Sequence, residues 1–211
     1  LKIYPFCRQR SSTIENGVEI SSPDPNKLHF FLESEPIMQK DKIALFVGTV
    51  IPRKHIHVLV SAFASPLLTE WNLVIIGRLE NTAYVDELRS QIESLALNER
   101  VLLIGTVAPD MIPFYLSTAA LYVSASEHEG RPNAVLEAVA TGLPLVLSSI
   151  DPHKQIIEEF QNGLLFETGN AEELAQAIHS SKTERKLRHM RNWGDAAREY
   201  AAVFSQATKK V

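Results

Sequence analysis

Six short apolar runs, each four or five residues long, recur along the chain. They are IALFV (43–47), NLVII (72–76), VLLI (101–104), ALYVS (120–124), LPLVL (143–147) and GLLF (163–166). Runs of this length without polar alternation are typical of strands buried on both faces of a parallel sheet, although a short buried helix looks the same in sequence. We therefore expect a sheet of about six strands, counted from these runs.

Helical patterns separate the runs. Apolar residues recur at steps of three and four over residues 85–95, which predicts one buried stripe of a helix. Asn170 and Glu173 have the spacing of a capping box at the start of a later helix. Strands that alternate with helices imply an α/β fold, a doubly wound parallel sheet with right-handed crossovers and helices on both faces.

Composition and charge exclude several classes of protein. The 211 residues are 45% hydrophobic and 22% charged, which is unlike collagen-like, disordered or low-complexity chains. No run approaches the ~18 apolar residues of a membrane span. With 21 basic and 25 acidic residues, the chain lacks the basic excess of nucleic-acid-binding proteins, so no nucleic acid partner is expected. A single cysteine, Cys7, cannot form an internal disulfide, which favours a reducing, cytoplasmic location.

The chain divides by composition at about residue 40. Residues 1–40 are rich in Ser, Pro and turn formers, which predicts a lead-in or interdomain segment with little core of its own. Residues 41–211 contain all six runs and are expected to form the domain. Because the sequence lacks a starting Met, we expect it to be part of a longer chain.

The richest loop follows the fourth run, SASEHEGRPN (124–133). In open parallel sheets ligands bind at the carboxyl ends of the strands, so this loop is expected to lie at a ligand site. Pro132 fits the first turn of the helix that follows, where its missing N–H does no harm. The free N–H groups of that helix start, beside Gly130, suit a phosphate group.

Two acids belong to this region. Glu137 is the only charged residue of the helix NAVLEAVATG, and it lies one turn after Asn133. Because that helix is otherwise apolar, the Glu137 carboxylate is expected to be shielded from water and to need a partner such as a hydroxylated ligand. The alternatives are a structural ion pair and a position at the rim of the buried surface. Glu129 lies eight residues earlier in the loop, where a solvated acid is the alternative to a site residue.

Other residues at the same sheet edge give weaker signals. Arg53 and Lys54 follow the first run and are either a solvated face or charge clamps opposite a phosphate-binding helix start. His128 and His153 fall in the ligand-side loops and are expected to be mostly exposed bystanders.

The glycines and the other histidines give little evidence for a ligand or metal site. Gly48, Gly77 and Gly105 each follow a run, where a glycine either admits a ligand or serves an ordinary turn. His55 and His57 cannot share one helix face, so no metal site is expected.

In this order and spacing the motifs resemble a known family. The stretch SASEHEGRPNAVLEAVATGLPLV (124–146) contains an E-x7-E pattern and resembles the C-terminal, donor-binding domain of GT-B glycosyltransferases of the large retaining family called group 1 or family 4. The resemblance extends over roughly residues 14–206. Supporting segments are IENGVE (14–19), FVGTVIPRKHIHVLVSAFA (46–64), LVIIG (73–77), NGLLF (162–166) and Phe204–Ser205.

The resemblance implies a Rossmann-like donor-nucleotide-binding domain, one half of a GT-B fold, with a role for each acid. Glu137 matches the acid that binds the ribose hydroxyls of the nucleotide. Glu129 matches the catalytic acid beside the transferred sugar. Val107 lies near the position whose main chain faces the base.

The resemblance also implies a diphosphate site. The backbone positions of Gly130, Arg131 and Asn133 match the diphosphate cradle, and Lys54 matches the basic clamp. The family usually has Arg directly after the glycine of its first strand motif, where this chain has Thr49, and Arg53 could substitute. Arg131 stands where the family usually has an aromatic residue.

The implied function is transfer of a sugar, with retention, from a nucleoside-diphosphate sugar of the UDP or GDP type to an acceptor. The resemblance implies no metal or other cofactor, because the helix start and Lys54 stabilise the leaving group. The acceptor would bind an N-terminal domain that this sequence lacks, so the isolated chain is expected to be inactive. Docking on the cytoplasmic face of a membrane would occur through that missing part.

Two alternatives remain open. A GT-B-fold sugar-nucleotide 2-epimerase would use a similar nucleotide pocket, although the E-x7-E spacing favours the transferase. A non-catalytic nucleotide-sugar-binding or interaction module is the second alternative, and Thr49 together with the missing domain makes it plausible.

Overall fold

A parallel sheet of six strands forms the centre of the larger of two units into which the chain divides. The computed structural model describes residues 17–18, 23–185, 187, 190 and 192–208. The larger unit spans Ile20–Arg188, and the second comprises Leu1–Glu19 with His189–Val211. Cys7 and most of the IENGVE segment lie outside the described residues.

The strands follow the apolar runs closely. They are β1 Ile43–Val47, β2 Asn72–Ile76, β3 Val101–Gly105, β4 Leu121–Ser124, β5 Leu145–Ser148 and β6 Gly163–Phe166. All neighbouring pairs are parallel, in the order β3-β2-β1-β4-β5-β6. The predicted doubly wound α/β sheet is confirmed. The order reverses between β1 and β4, which is the point where open parallel sheets bind ligands.

Eight α-helices are described. They are α1 Pro25–Ser34, α2 Ile56–Phe63, α3 Thr82–Ser94, α4 Ile112–Thr118, α5 Asn133–Ala140, α6 Asp151–Phe160, α7 Ala171–Ser180 and α8 Trp193–Thr208. Helix α8 belongs to the smaller unit. None of the helices in the described part of the chain is both long and apolar enough to span a bilayer.

Local chemistry explains where the helices begin. The Asn170 side chain accepts a hydrogen bond from the Glu173 N–H at the start of α7, as the capping box predicts. The Glu173 carboxylate, however, accepts from the N–H of Glu167 (2.8 Å), so the reciprocal half of the box does not form. At the start of α3, Asn81 caps the helix in the same way through the N–H of Tyr84 (3.0 Å).

Both faces of the sheet are covered. Along β1, Ala44 and Phe46 pack in one apolar cluster with residues of α2, α3 and α7. Leu45, which points to the opposite face, is fully buried as well. Helices α4, α5 and α6 contact strands of the sheet and contribute no residue to that cluster, so they cover the other face.

Part of the expected lead-in segment packs into the larger unit. Phe31 of α1 is buried, and its ring centroid lies 4.8 Å from that of Tyr115 in α4. Met38, in the 3-10 turn Pro36–Gln39 after α1, is also buried. The boundary expected at residue 40 therefore lies inside this unit, because two isolated apolar residues anchor a stretch whose composition is polar.

Candidate functional site

The loops that follow β1 and β4 meet at the point where the strand order reverses. Arg53 and Lys54 lie in the 3-10 turn Pro52–Lys54, in the loop after β1. The N–H of Glu127, in the loop after β4, donates to the Arg53 carbonyl oxygen (2.9 Å). In return the Arg53 guanidinium donates to the His128 carbonyl oxygen (2.9 Å). The two loops are thereby fixed to each other.

Glu129 is the centre of an ion cluster between these loops. Its Oε1 atom accepts from Lys54 Nζ and from Ser126 Oγ, the latter at 2.7 Å. The Arg53 guanidinium lies 3.7 Å from the other carboxylate oxygen. The Glu129 side chain is 9% exposed and that of Lys54 15% exposed, whereas the neighbouring Glu127 is 65% exposed. The structure therefore brings three of the predicted site residues together and leaves Glu127 in solvent.

The ion cluster decides the charge of Glu129. Burial by itself raises the pKa of this carboxyl. The hydrogen bonds from Lys54 and Ser126 and the charges of Lys54 and Arg53 outweigh burial, so the net effect is a lowered pKa. Glu129 is therefore ionised at neutral pH before any ligand arrives.

Glu137 has the opposite environment. It lies on α5, half-buried, and no side chain or backbone group among the described residues forms a hydrogen bond or ion pair with its carboxylate. Burial raises the pKa of Glu137. Partial shielding is thus present, and a structural ion pair is not found within the described chain, whereas the half-buried side chain is also compatible with a rim position.

Tyr122 lies close to both acids. This buried β4 residue donates from its hydroxyl to the Val47 carbonyl oxygen at the end of β1 (3.1 Å). Burial raises the pKa of Tyr122 far above its ordinary value, and the charges of Glu137 and Glu129 raise it further. Both carboxylates therefore lie near the buried seam between β1 and β4.

Helix α5 begins one residue later than expected. Pro132 is the residue before the first helical position, Asn133, and not part of the first turn. The Asn133 N–H, which the resemblance assigns to a diphosphate, donates to the Arg131 carbonyl oxygen (3.0 Å). Gly130 is exposed, and a Cβ built on it would have no atom within 4 Å, so the loop leaves open space there.

The other expected site residues lie in three different loops. Val107, half-buried, lies in the loop after β3, which β2 separates from β1. Thr49 is half-buried in the loop after β1, and Arg131 is half-buried just before α5. No group of three or more His, Cys, Asp or Glu side chains within the described residues is placed to hold a metal ion.

Gly77 has a structural role at this edge. Its φ is +150°, and a Cβ would lie 1.8 Å from the carbonyl oxygen of Gly48. The glycine therefore permits the close approach of the loops after β1 and β2. Gly105 is the last residue of β3 and does not follow the strand.

The expectation that both ligand-side histidines are exposed is wrong for His153. His128 is exposed, as expected. His153 is fully buried within the first turn of α6, and its Nδ1 atom lies 3.0 Å from the Ser148 carbonyl oxygen. The sequence signal was Asp151-Pro152, because Pro in the first turn starts a helix and removes the following histidine from the loop.

Comparisons with known proteins identify the family. The family model for glycosyl transferases group 1 matches residues 30–200. A Campylobacter jejuni N-acetylgalactosamine-N,N'-diacetylbacillosaminyl-diphospho-undecaprenol 4-alpha-N-acetylgalactosaminyltransferase is 32% identical over 159 residues, which is 73% of this chain and 41% of that protein. A Rhizobium leguminosarum bv. viciae lipopolysaccharide core biosynthesis mannosyltransferase, LpcC, is 30% identical over 65% of this chain and 42% of its own length.

Solved structures show the same fold. Anabaena HepE, in complex with UDP and glucose, superposes with a TM-score of 0.69 at 21% identity over 94% of this chain and 56% of that one. The chain spans 44% and 42% of two of the curated relatives that it matches, which is less than half their length. On the family match over residues 30–200, the chain belongs to the glycosyl transferases group 1.

Proposed function

We propose that this chain is the C-terminal, donor-binding domain of a retaining, family 4 glycosyltransferase that moves a sugar from a nucleoside-diphosphate sugar to an acceptor. The observation that carries the proposal is the pair of acids, Glu129 and Glu137, at the reversal of strand order. One is already paired with Lys54, and the other is half-buried without a described partner. A ligand with hydroxyl groups would supply what Glu137 lacks.

The nucleotide would bind along the start of α5. Glu137 would accept hydrogen bonds from the ribose hydroxyls, and Val107 would face the base. The open space at Gly130 allows a diphosphate to approach the backbone, and a helix N-terminus favours an anion there. UDP or GDP is the expected nucleotide, and Anabaena HepE, which shares the fold, was solved in complex with UDP and glucose.

The sugar would project toward Glu129. In the transfer step, the bond between the anomeric carbon and the diphosphate oxygen breaks, and the acceptor oxygen bonds to the same face of that carbon. The acceptor proton passes to the departing diphosphate. Lys54 and Arg53 would stabilise the charge that develops on the diphosphate, with the start of α5 assisting.

The acceptor site belongs to the part of the protein that this chain does not span. We expect the isolated chain to bind a nucleoside diphosphate without transferring sugar. Acceptor binding in an N-terminal domain, and docking of that domain on the cytoplasmic face of a membrane, are proposals for the whole protein.

Titration calorimetry with UDP, GDP and ADP, and with the matching nucleosides, tests the proposal. Lys54→Ala should weaken binding of the diphosphate by roughly 10-fold or more and leave the nucleoside unchanged, because a charge-assisted hydrogen bond contributes about 1.5–3 kcal/mol. Lys42→Ala, just before β1 at the opposite end of that strand, is the matched control and should change neither.

Three results would contradict the proposal. If none of the three diphosphates binds, the interaction module becomes the better account. Equal losses for diphosphate and nucleoside would show that Lys54 is not a diphosphate clamp. Sugar transfer by the isolated chain to a simple acceptor would overturn the assignment of the acceptor site to a missing domain.

A further inference from the structure

A series of buried polar groups connects Glu129 to His153 of α6. His153 Nδ1 lies 3.1 Å from Ser148 Oγ and 3.0 Å from the Ser148 carbonyl oxygen. Ser148 Oγ in turn lies 2.6 Å from the Ser126 carbonyl oxygen. Ser126 Oγ donates to Glu129 (2.7 Å). Three steps of contact therefore connect a fully buried histidine of α6 to the acid of the ion cluster.

The acceptors fix the direction of every proton in this chain of groups. A carbonyl oxygen can only accept, so His153 carries its proton on Nδ1 and donates to Ser148. Ser148 Oγ likewise donates to the Ser126 carbonyl. Because Ser126 Oγ gives its proton to the Glu129 carboxylate, the hydroxyl of Ser124, 3.2 Å away, donates to Ser126. The orientation is consistent from His153 to Glu129.

The other ring nitrogen of His153, Nε2, takes no part in this chain of hydrogen bonds. Its Nε2 atom is buried and has no hydrogen-bond partner among the described residues. A buried acceptor without a partner is unfavourable, and an apolar residue of similar size would avoid that cost. The unpaired Nε2 atom is therefore unfavourable for folding, and the donating Nδ1 atom is the polar part of the ring that makes contacts.

We propose that His153 is a positioning residue that acts through Ser148 and Ser126 to hold the Glu129 carboxylate in place against Lys54. The backbone of Ser126 is fixed by the Ser148 hydroxyl, which fixes the direction of the Ser126 hydroxyl toward Glu129. The effect on the ion cluster stands independently of any ligand. Only its consequence for the sugar rests on the proposed function.

The titration of the Glu129 carboxyl, followed by carbon-13 NMR on the ligand-free chain, tests this inference. Ser126→Ala should raise the titration midpoint by about one pH unit, because it removes a hydrogen bond to the ionised form. His153→Leu should raise it by roughly half as much. His153→Asn should leave it near the native value, because the Asn amide N–H can occupy the place of Nδ1.

Ile156→Ala is the matched control, since it removes buried methyl groups from the same helix and no polar atom. It should lower the melting temperature without moving the Glu129 midpoint. A native midpoint in folded His153→Leu, or equal shifts in His153→Leu and Ile156→Ala, would overturn the proposal. If His153→Leu does not fold, Ser148→Ala decides: a raised midpoint supports the proposal, and an unchanged one overturns it.

Calorimetry separates this inference from the proposed function. His153→Leu should weaken a nucleotide sugar several-fold relative to the bare diphosphate. If the native chain binds no nucleotide at all, the proposed function fails, while the ligand-free titration still decides the role of His153.

Discussion

Glu129 and Glu137 lie eight residues apart and have opposite surroundings. Glu129 accepts from Lys54 and Ser126, and its pKa is lowered. Glu137 lies half-buried on α5 with no partner among the described residues, and its pKa is raised. The protein thus pairs one carboxylate with its own side chains, whereas no described residue pairs with the other.

The difference teaches that burial alone does not identify a binding residue. Both acids are shielded from water, but only at Glu137 does the ionised form lack compensation in the described structure. A ligand gains most where a buried charge is unpaired, because the desolvation cost has already been met by folding. Removing the Lys54 partner of Glu129 and removing the Glu137 carboxylate should therefore have opposite effects on stability.

The largest expected effect is the loss of stability on removing the partner of Glu129. Lys54→Met keeps the apolar stem and removes the charge, so among the described residues the mostly buried carboxylate keeps the Ser126 hydroxyl and the more distant Arg53. Breaking a fully buried pair costs about 3–5 kcal/mol, and partial exposure reduces this to about 2 kcal/mol in the free energy of unfolding. Urea unfolding at pH 7 measures it.

Arg53→Met is the control in the same turn. Arg53 is half exposed and farther from the carboxylate, so its loss should cost less than about 1 kcal/mol. Equal losses for the two variants would mean that the cluster does not depend on Lys54.

Glu137→Gln is expected to change the free energy of unfolding by a smaller amount and in the opposite direction. Glu137→Gln removes a charge whose burial is uncompensated, so the free energy of unfolding at pH 7 should stay the same or rise by up to about 1 kcal/mol. The same urea experiment tests it, with Glu158→Gln on α6 as an exposed control. A loss of more than about 1 kcal/mol would reveal a structural partner of Glu137 and break the comparison.

The strands could be predicted from the sequence, whereas the contacts between distant residues could not. The strands were readable because a short, continuous apolar run such as IALFV, bounded by polar turns, has to be buried on both sides. The pairing of Lys54 with Glu129 joins residues 75 positions apart and depends on β1 lying beside β4, which no local pattern encodes. The burial of His153 was missed because it follows from the helix that starts at Asp151 and from the serines behind it.

The smallest effect is a difference in pH dependence. Since the folded pKa of Glu129 is lowered, its contribution to stability is present above the unfolded pKa of about 4.3 and is lost as the pH falls through the folded value. Since that of Glu137 is raised, stability falls as the pH rises from about 4.3 through the folded value.

Glu129→Gln and Glu137→Gln, each compared with the native chain, show how much of the pH dependence of stability comes from each acid. Glu129→Gln should lose less stability than the native chain below pH of about 4.3, and Glu137→Gln should lose less above it. Thermal melts between acidic and neutral pH are sufficient. For each variant, the difference in stability from the native chain is plotted against pH. If this difference changes with pH in the same direction for both variants, the two acids do not have opposite environments.

Titration calorimetry on Glu129→Gln and Glu137→Gln, each with the bare diphosphate and with the matching nucleotide sugar, tests the central claim most directly. Melts should first show that both variants fold. Glu137→Gln should weaken both ligands alike, because the ribose is common to them. Glu129→Gln should leave the diphosphate almost unchanged and weaken only the nucleotide sugar. If Glu129→Gln harms the bare diphosphate as much as Glu137→Gln does, the division of roles between the two acids is wrong.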